Sequence, residues 1–368
     1  MTILVVEPFS IEYEHANLNR GIVLQLAKQL GNVALCGTAR HIEMLELSGH
    51  YGIQTIHATT ARGKYLSKRR ALTFFAGLCW SLLVRGNKYD HVLFLSSTPF
   101  MVFILKVAGW IIGKQIIVLL HGELEGLARK DKGIFSIRRA LNFHNLCRLK
   151  YLVPGQHVLD ALLQDIPSLK GQVSVFHIPV HQGPMSLMRH SSQKGQNVGY
   201  LGRFVKERDS KRVVSLARNL STVTDIKFCC LGQYQEVEYV KDVDFGYFDR
   251  PPSSVPLTSS EYQQGLAALD AIVSVDPPER FRLGISGVFL DALSSGVPIF
   301  CLKNIAMDGL SNEVPGLIHQ FDNETALSTA LSEYLLQPKP DSKNSLWTHV
   351  RAFETWNNKS IEDIKWIF

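Results

Sequence analysis

The chain has 368 residues, 46% hydrophobic and 20% charged, a length that exceeds what one core usually supports and predicts two domains of roughly 180 residues each. The composition excludes intrinsic disorder, and the six cysteines, Cys36, Cys79, Cys147, Cys229, Cys230 and Cys301, form neither a C-x-x-C pair nor a metal-ligand spacing, so they read as thiols of a reducing cytoplasm. The net charge of +6 hides a polarity: residues 1–180 carry 20 Lys and Arg against 11 Asp and Glu, the remainder 19 against 22, and the N-terminal part is expected to face something anionic.

The chain enters an apolar strand at Ile3 to Val6 with no basic n-region ahead of it, so no secretory signal is expected. Further strands are predicted at Val33 to Cys36, Ile53 to His57, His91 to Leu95, Gln115 to Leu120, Tyr151 to Val153 and Val173 to Phe176. The intervals are long enough for helices, the signature of parallel βαβ units. The most apolar stretch, Pro99 to Leu120, is interrupted by Lys106, Gly113 and Lys114, and a buried helix followed by a strand is favoured over a membrane span.

From His181 the composition turns polar, with Gly183, Pro184, Gly195 and several Ser and Gln. Four segments follow: an N-terminal Rossmann-like domain over 1–180, a linker at 181–197, a second Rossmann-like domain over 198–342 and a helical tail over 343–368. In the second domain strands are predicted at Val198 to Leu201, Ile226 to Leu231, Ala271 to Val275 and Val297 to Leu302. Helices are predicted near Lys211 to Asn219, Ser260 to Ala268, Ser286 to Ser294 and Glu324 to Leu336, with Asp242 to Pro256 as surface loop and short strand. The tail has Trp347, Val350, Phe353, Trp356, Ile361, Ile364 and Trp366 as apolar anchors.

Several runs carry chemistry. Arg62 to Arg70 includes Lys64, Lys68, Arg69 and Arg70 ahead of an aromatic stretch, which suits an anionic lipid surface as well as it suits the solvated entry of a core helix. His121 and Glu123 follow four apolar residues at a strand's carboxyl end, the edge where ligands of open parallel sheets collect, although His121 also fits a capped strand end. Gly199-Tyr200-Leu201-Gly202-Arg203 opens the second domain, with Lys206, Arg208 and Lys211 behind it, a group of cations that suits an anion as well as it suits a solvated basic loop. Ser286-Gly287 opens a helix whose N–H groups and dipole offer an anion site, with Asp291 further along it.

The run from Ser286-Gly287 through Asp291-Ala292 to Gly296 and Pro298, together with Gly202-Arg203, resembles the donor-binding segments of GT-B glycosyltransferases, particularly the retaining family 4. That resemblance implies two Rossmann-like domains facing across a cleft, a last helix crossing back to the first domain, and transfer of a sugar from a nucleotide-diphosphate sugar to a hydroxyl with retention. It implies donor binding by Arg203, Arg208 or Lys206, Ser286, Gly287 and Asp291, with Asp291 receiving the ribose hydroxyls, and a place for His121 and Glu123 near the donor sugar. The acceptor would be a saccharide or lipid-linked glycan of a bacterial surface polysaccharide such as lipopolysaccharide, handled at the inner face of the cytoplasmic membrane.

Leu283 departs from the family pattern: eight residues before Asp291 the family has a Glu that touches the donor sugar. Glu279 or Asp276 from the preceding loop, or the Ser286-Gly287 amides, would replace it. The Gly-Gly loop of the first domain is also missing; Glu12 to Gly21 stands in its place. No dinucleotide fingerprint, P-loop, metal-ligand cluster or nucleic-acid module is apparent, so no metal, cofactor or nucleic-acid partner is expected.

Overall fold

The computed structural model describes residues 1–8, 15–47, 49–50, 52–58, 88–112, 115–128, 133, 136–144, 149–180, 196–222, 226–234, 236–337 and 342–368. The basic run with Lys64, Lys68, Arg69 and Arg70 lies outside them, as do Arg129, Lys130, Lys132, most of the polar stretch after Val180 and part of the Glu12 to Gly21 loop. The chain divides into two compact units, Met1–His181 with Asn357–Phe368, and Gln182–Trp356.

The first unit is built on strands β1 (Thr2–Glu7), β2 (Asn32–Thr38), β3 (Ile53–Ala58), β4 (His91–Phe94), β5 (Gln115–Leu119), β6 (Lys150–Val153) and β7 (Val173–Val175). They form one sheet in the order β3-β2-β1-β4-β5-β6-β7, every pairing parallel. In register, Leu4 of β1 lies between Ala34 and Val92. Ile3, Val5, Leu93, Ile117 and Leu152 are buried, as expected of strands whose two faces are both covered. Helices α1 (Ala16–Leu30), α2 (Ala39–Met44), α3 (Pro99–Ile112), α4 (Glu125–Ala128), α5 (Ile137–Asn142) and α6 (Gln156–Asp165) join them.

The apolar stretch resolves as expected into α3 and β5. Lys106 is tolerated inside it because its buried ammonium donates to the carbonyls of Leu141 and Phe143, which satisfies the charge and caps α5. No helix among the described residues is long and apolar enough to cross a membrane.

The second unit has strands β8 (Asn197–Tyr200), β9 (Lys227–Cys230), β10 (Phe248–Arg250), β11 (Ala271–Ser274), β12 (Ile299–Leu302) and β13 (Ile318–Phe321), ordered β10-β9-β8-β11-β12-β13 and again parallel. Its helices are α7 (Lys211–Ser221), α8 (Val237–Val240), α9 (Ser259–Ala267), α10 (Gly287–Ser295), α11 (Ile305–Glu313) and α12 (Glu324–Leu336). The α11–β13 pair is absent from the expectations above: Gly309 breaks α11's pattern, and the residues of β13 beyond Ile318 are only half-buried, which leaves it without a continuous apolar run.

In both sheets the order reverses beside the first strand, between β1 and β4 and between β8 and β11. Open parallel sheets bind ligands outside the carboxyl ends of the strands at such a point.

The last helix, α13 (Ser342–Ile367), is divided between the units. Trp356 is fully buried and meets Phe289 of α10 edge-on. From Asn357 the helix belongs to the first unit, held where Asp363 accepts from both the backbone N–H and Nδ1 of His177 and where Asn357 pairs with the Val180 backbone. Trp366 is a correction to the tail's expected anchors: it is 71% exposed, and Ile367, at 5%, takes the buried position. A step of one residue turns a helix by ~100°, enough to exchange the two.

Candidate functional site

At the carboxyl edge of the first sheet, β1 ends in Glu7, which is 1% exposed and accepts from Asn19 Nδ2 on α1 at 3.1 Å and from the hydroxyl of Ser96 after β4. Asn19 also pairs with His41 Nε2 of α2 at 3.0 Å, so the carboxylate is carried by a polar network in which Asn19 and His41 are fully buried and Ser96 half-buried. Beside it, the segment after β5 brings His121 and Glu123 to the same edge. Glu123 turns back on its own loop: its carboxylate accepts from the backbone N–H and hydroxyl of Ser97 and from the backbone N–H of His121. Burial pushes the Glu123 carboxyl up despite these donors.

His121 packs edge-on against His15 with ring centroids 4.9 Å apart. Both of its ring nitrogens are buried without a hydrogen-bond partner among the described residues. Burial lowers its pKa against the opposing pull of the Glu7 carboxylate, so it is a neutral imidazole at pH 7. A neutral ring with one free donor and one free acceptor can bind hydroxyls or carry a proton.

The second edge has the opposite character. After β8 the chain turns at Gly202, φ +88°, where a Cβ would meet Arg208 Nη1 at 2.2 Å. Gly232, after β9, approaches the same turn so closely that a Cβ would stand 1.4 Å from the Gly202 carbonyl. Only glycine fits either place. Arg203 and Lys206 project from this turn as exposed side chains with no ion-pair partner among the described residues. Lys211, the other cation of the run, lies with its ammonium 4.8 Å from the Tyr239 ring.

Arg208 differs from them. It is 7% exposed and forks onto Asp276 after β11, Nε to Oδ1 at 2.7 Å and Nη2 to Oδ2 at 2.9 Å, while Nη1 donates to the Leu201 carbonyl. Ser274 donates to the same carboxylate at 2.7 Å. Arg208 is thus the buried member of a bidentate pair, and Asp276, weighed above for the donor sugar, is its partner.

Glu279 is exposed in the loop that follows, and Leu283 is buried. Ser286 is the N-cap of α10 at φ −77°, ψ 127°, but its hydroxyl makes no capping bond and is buried without a partner among the described residues. The helix's first amides are therefore uncapped. Gly287 is exposed, and a Cβ there would touch nothing within 4 Å, so the helix end is open to a ligand. One turn along, Asp291 accepts from the Tyr262 hydroxyl of α9. Burial raises the Asp291 carboxyl to about 6 even though the tyrosine bond works the other way.

The sequence runs brought Arg203, Lys206, Ser286, Gly287 and Asp291 to one unit, and His121 with Glu123 to the other. Sequence reading missed Glu7, Asn19, His41 and Tyr262. A carboxylate ending the first strand was a readable signal for Glu7; the others stand in ordinary helix or loop runs. Among the described residues no group of His, Cys, Asp and Glu is placed to hold a metal ion.

No protein-family model and no curated protein matches this chain. Solved structures do match it over its whole length. Anabaena HepE in complex with UDP and glucose superimposes with a TM-score of 0.67 at 14% identity, covering 100% of this chain and 98% of that one. The catalytic domain of Arabidopsis thaliana starch synthase IV, bound to ADP and acarbose, gives 0.69 at 11% identity over 99% and 98%. A mutant of S. aureus TarM, in complex with UDP, alpha-GlcNAc-glycerol and fondaparinux, gives 0.64 at 11% over 100% and 99%. At such identities the likeness speaks for the fold: two parallel-sheet α/β domains of the GT-B type.

Proposed function

We propose that this chain is a glycosyltransferase that moves a sugar from a nucleoside-diphosphate sugar to a hydroxyl of a saccharide or lipid-linked glycan, with retention at the anomeric carbon. The observation that carries this reading is the open start of α10 at the second sheet's carboxyl edge, where among the described residues the buried Ser286 hydroxyl has no partner and the cations Arg203 and Lys206 have no ion pair. Such a site suits a diphosphate: the helix end contributes roughly 0.3–2 kcal/mol, and each charge-assisted hydrogen bond about 1.5–3 kcal/mol. As the glycosidic bond breaks, negative charge grows on the departing phosphate, and preorganised donors stabilise it without reorganising. Asp291, on the same helix, would receive the ribose hydroxyls beside its bond from Tyr262. The neighbours support the donor class, having been solved with UDP or ADP.

In this reading the leaving diphosphate takes the acceptor's proton, no metal is required, and His121, its ring nitrogens unpartnered among the described residues, is the first unit's candidate for binding a sugar hydroxyl. Glu123, turned onto Ser97, holds the His121 loop in place, and Glu279 is the exposed carboxylate nearest in sequence to the vacant family position at Leu283. A bacterial surface polysaccharide such as lipopolysaccharide, cytoplasmic location and an anionic membrane surface contacting Lys64, Lys68, Arg69 and Arg70 complete the proposal, on the N-terminal charge excess. The buried Leu283 favours one second reading, a nucleotide-sugar-binding protein without turnover.

The test is a thermal-shift and calorimetric screen against UDP-, GDP-, TDP- and ADP-sugars, followed by product analysis by NMR with and without a chelator. A retained anomeric configuration at undiminished rate in chelator is expected. Inversion or a metal requirement removes the corresponding part, binding without turnover leaves the second reading, and the absence of any binding removes the whole.

A further inference from the structure

The geometry points to Arg280 as the cation that meets the donor diphosphate from the loop opposite Arg203 and Lys206, with Arg208 serving instead as the buried strut that holds the site's two loops together. This rests on the donor reading above and names a residue that neither the sequence motifs nor the fold assigns. The switch point of the second sheet lies between β8 and β11, so a bound anion there is met by two loops: the one after β8, carrying Arg203, and the one after β11, running from Asp276 to Ser286. Arg208 comes from the first loop but cannot serve both masters: Nε and Nη2 are held by Asp276, Nη1 by the Leu201 carbonyl, and the side chain is 7% exposed. Releasing it toward a phosphate would leave the Asp276 carboxylate buried and unpaired.

Arg280 is placed differently. It is only half-buried, and its Nε is enclosed without a hydrogen-bond partner among the described residues. Its guanidinium lies 4.9 Å from the centroid of the Phe281 ring, the same ring that Arg208 approaches at 5.9 Å, so the two arginines share one aromatic platform. Phe281 holds that position with a left-handed backbone, φ 60°, uncommon for a bulky residue. The strained turn sets the arginine beside the ring, six residues ahead of the unpartnered Ser286 hydroxyl that opens α10. A cation from the β11 loop and one from the β8 loop would then approach a diphosphate from the two strands that flank the switch point.

Calorimetry on the full chain tests this with UDP, GDP, TDP and ADP and the corresponding monophosphates as probes, for wild type, Arg280→Ala, Arg280→Lys and Arg203→Ala, each first checked for an unchanged thermal transition. For the nucleotide that wild type prefers, Arg280→Ala is expected to weaken the diphosphate by about 10- to 100-fold and the monophosphate by distinctly less, with Arg280→Lys recovering part of the loss. If Arg280→Ala leaves the diphosphate affinity within a factor of about two while Arg203→Ala weakens it, the Arg280 assignment falls and the donor reading stands. An equal loss for both nucleotides also overturns it, since that marks a role in shaping the pocket. If wild type binds no nucleoside diphosphate, the donor reading itself falls and Arg280 with it.

Discussion

The two carboxyl edges share a strand order and differ in electrostatics. Beside β1 and β4 the chain puts a carboxylate, Glu7, into a polar network with Asn19, His41 and Ser96, next to a neutral His121. Beside β8 and β11 it puts one arginine into a buried pair and leaves other cations open around an uncapped helix. Strand order creates the crevice in both units; the residues that follow the strands decide which charge it accepts. In the proposed function the first edge serves hydroxyls and protons, the second an anion.

The largest expected effect separates the strut from the grip. Arg208→Ala leaves Asp276 buried without its partner and should cost about 3–5 kcal/mol of stability, read by urea denaturation. Replacing the pair together, Arg208→Met with Asp276→Leu, should recover most of that loss; a double variant no better than the single one would mean the pair's surroundings need the charges. Next, Arg203→Ala should leave the thermal transition in place and weaken nucleoside diphosphate by about 1.5–3 kcal/mol, whereas His121→Ala, on the other edge, should lower kcat with diphosphate affinity unchanged. Equal losses of diphosphate affinity in both variants would erase the division of labour.

Gly232→Ala comes third. With a Cβ only 1.4 Å from the Gly202 carbonyl, the β8 and β9 loops must part, at about 1–3 kcal/mol, and diphosphate affinity should fall along with stability because Arg203 rides on the displaced turn.

The smallest effects are in pH. Asp291 has a folded-state pKa raised from 3.8 to about 6, so its contribution to stability is present below 3.8 and is lost as pH rises toward about 6. Asp291→Asn should remove that slope and leave the variant more stable than wild type at pH 7. His121 has the opposite sign. Its pKa is depressed below 6.5, so its contribution is present above that value and is lost as pH falls through the lower folded-state value. The melting temperature of His121→Gln relative to wild type should therefore rise on acidification. Melting curves from pH 4 to 8 report both, and parallel profiles for the two variants would contradict the contrast.

Much of the fold was legible because it is written in short-range pattern. The apolar runs at Ile3 to Val6, Gln115 to Leu120 and Ala271 to Val275 are buried strands, and Gly296 ends α10 at φ 66° ahead of Pro298 and β12. The pair α11 and β13 was not legible, since β13 is half-buried at the sheet's edge and has no uniform apolar run. Of the site, the sequence marked Arg203 and Ser286-Gly287, whose meaning comes from immediate neighbours, but gave Arg208 the same standing as Arg203.

By itself, then, the sequence determined the alternation of strand and helix, the start of α10 at Ser286-Gly287 and the positions where charge sits, because helix and strand periods and glycine's freedom act within a few residues. That the Ser286 hydroxyl makes no capping bond was decided by the structure. Which of those charges is free was decided only by the tertiary structure. Arg208 meets Asp276 across 68 residues, and Glu7 meets Ser96 across 89, through the parallel register that sets β8 beside β11 and β1 beside β4. A buried partner converts a cation from a ligand grip into a strut, and no local pattern records where the chain will return to supply that partner.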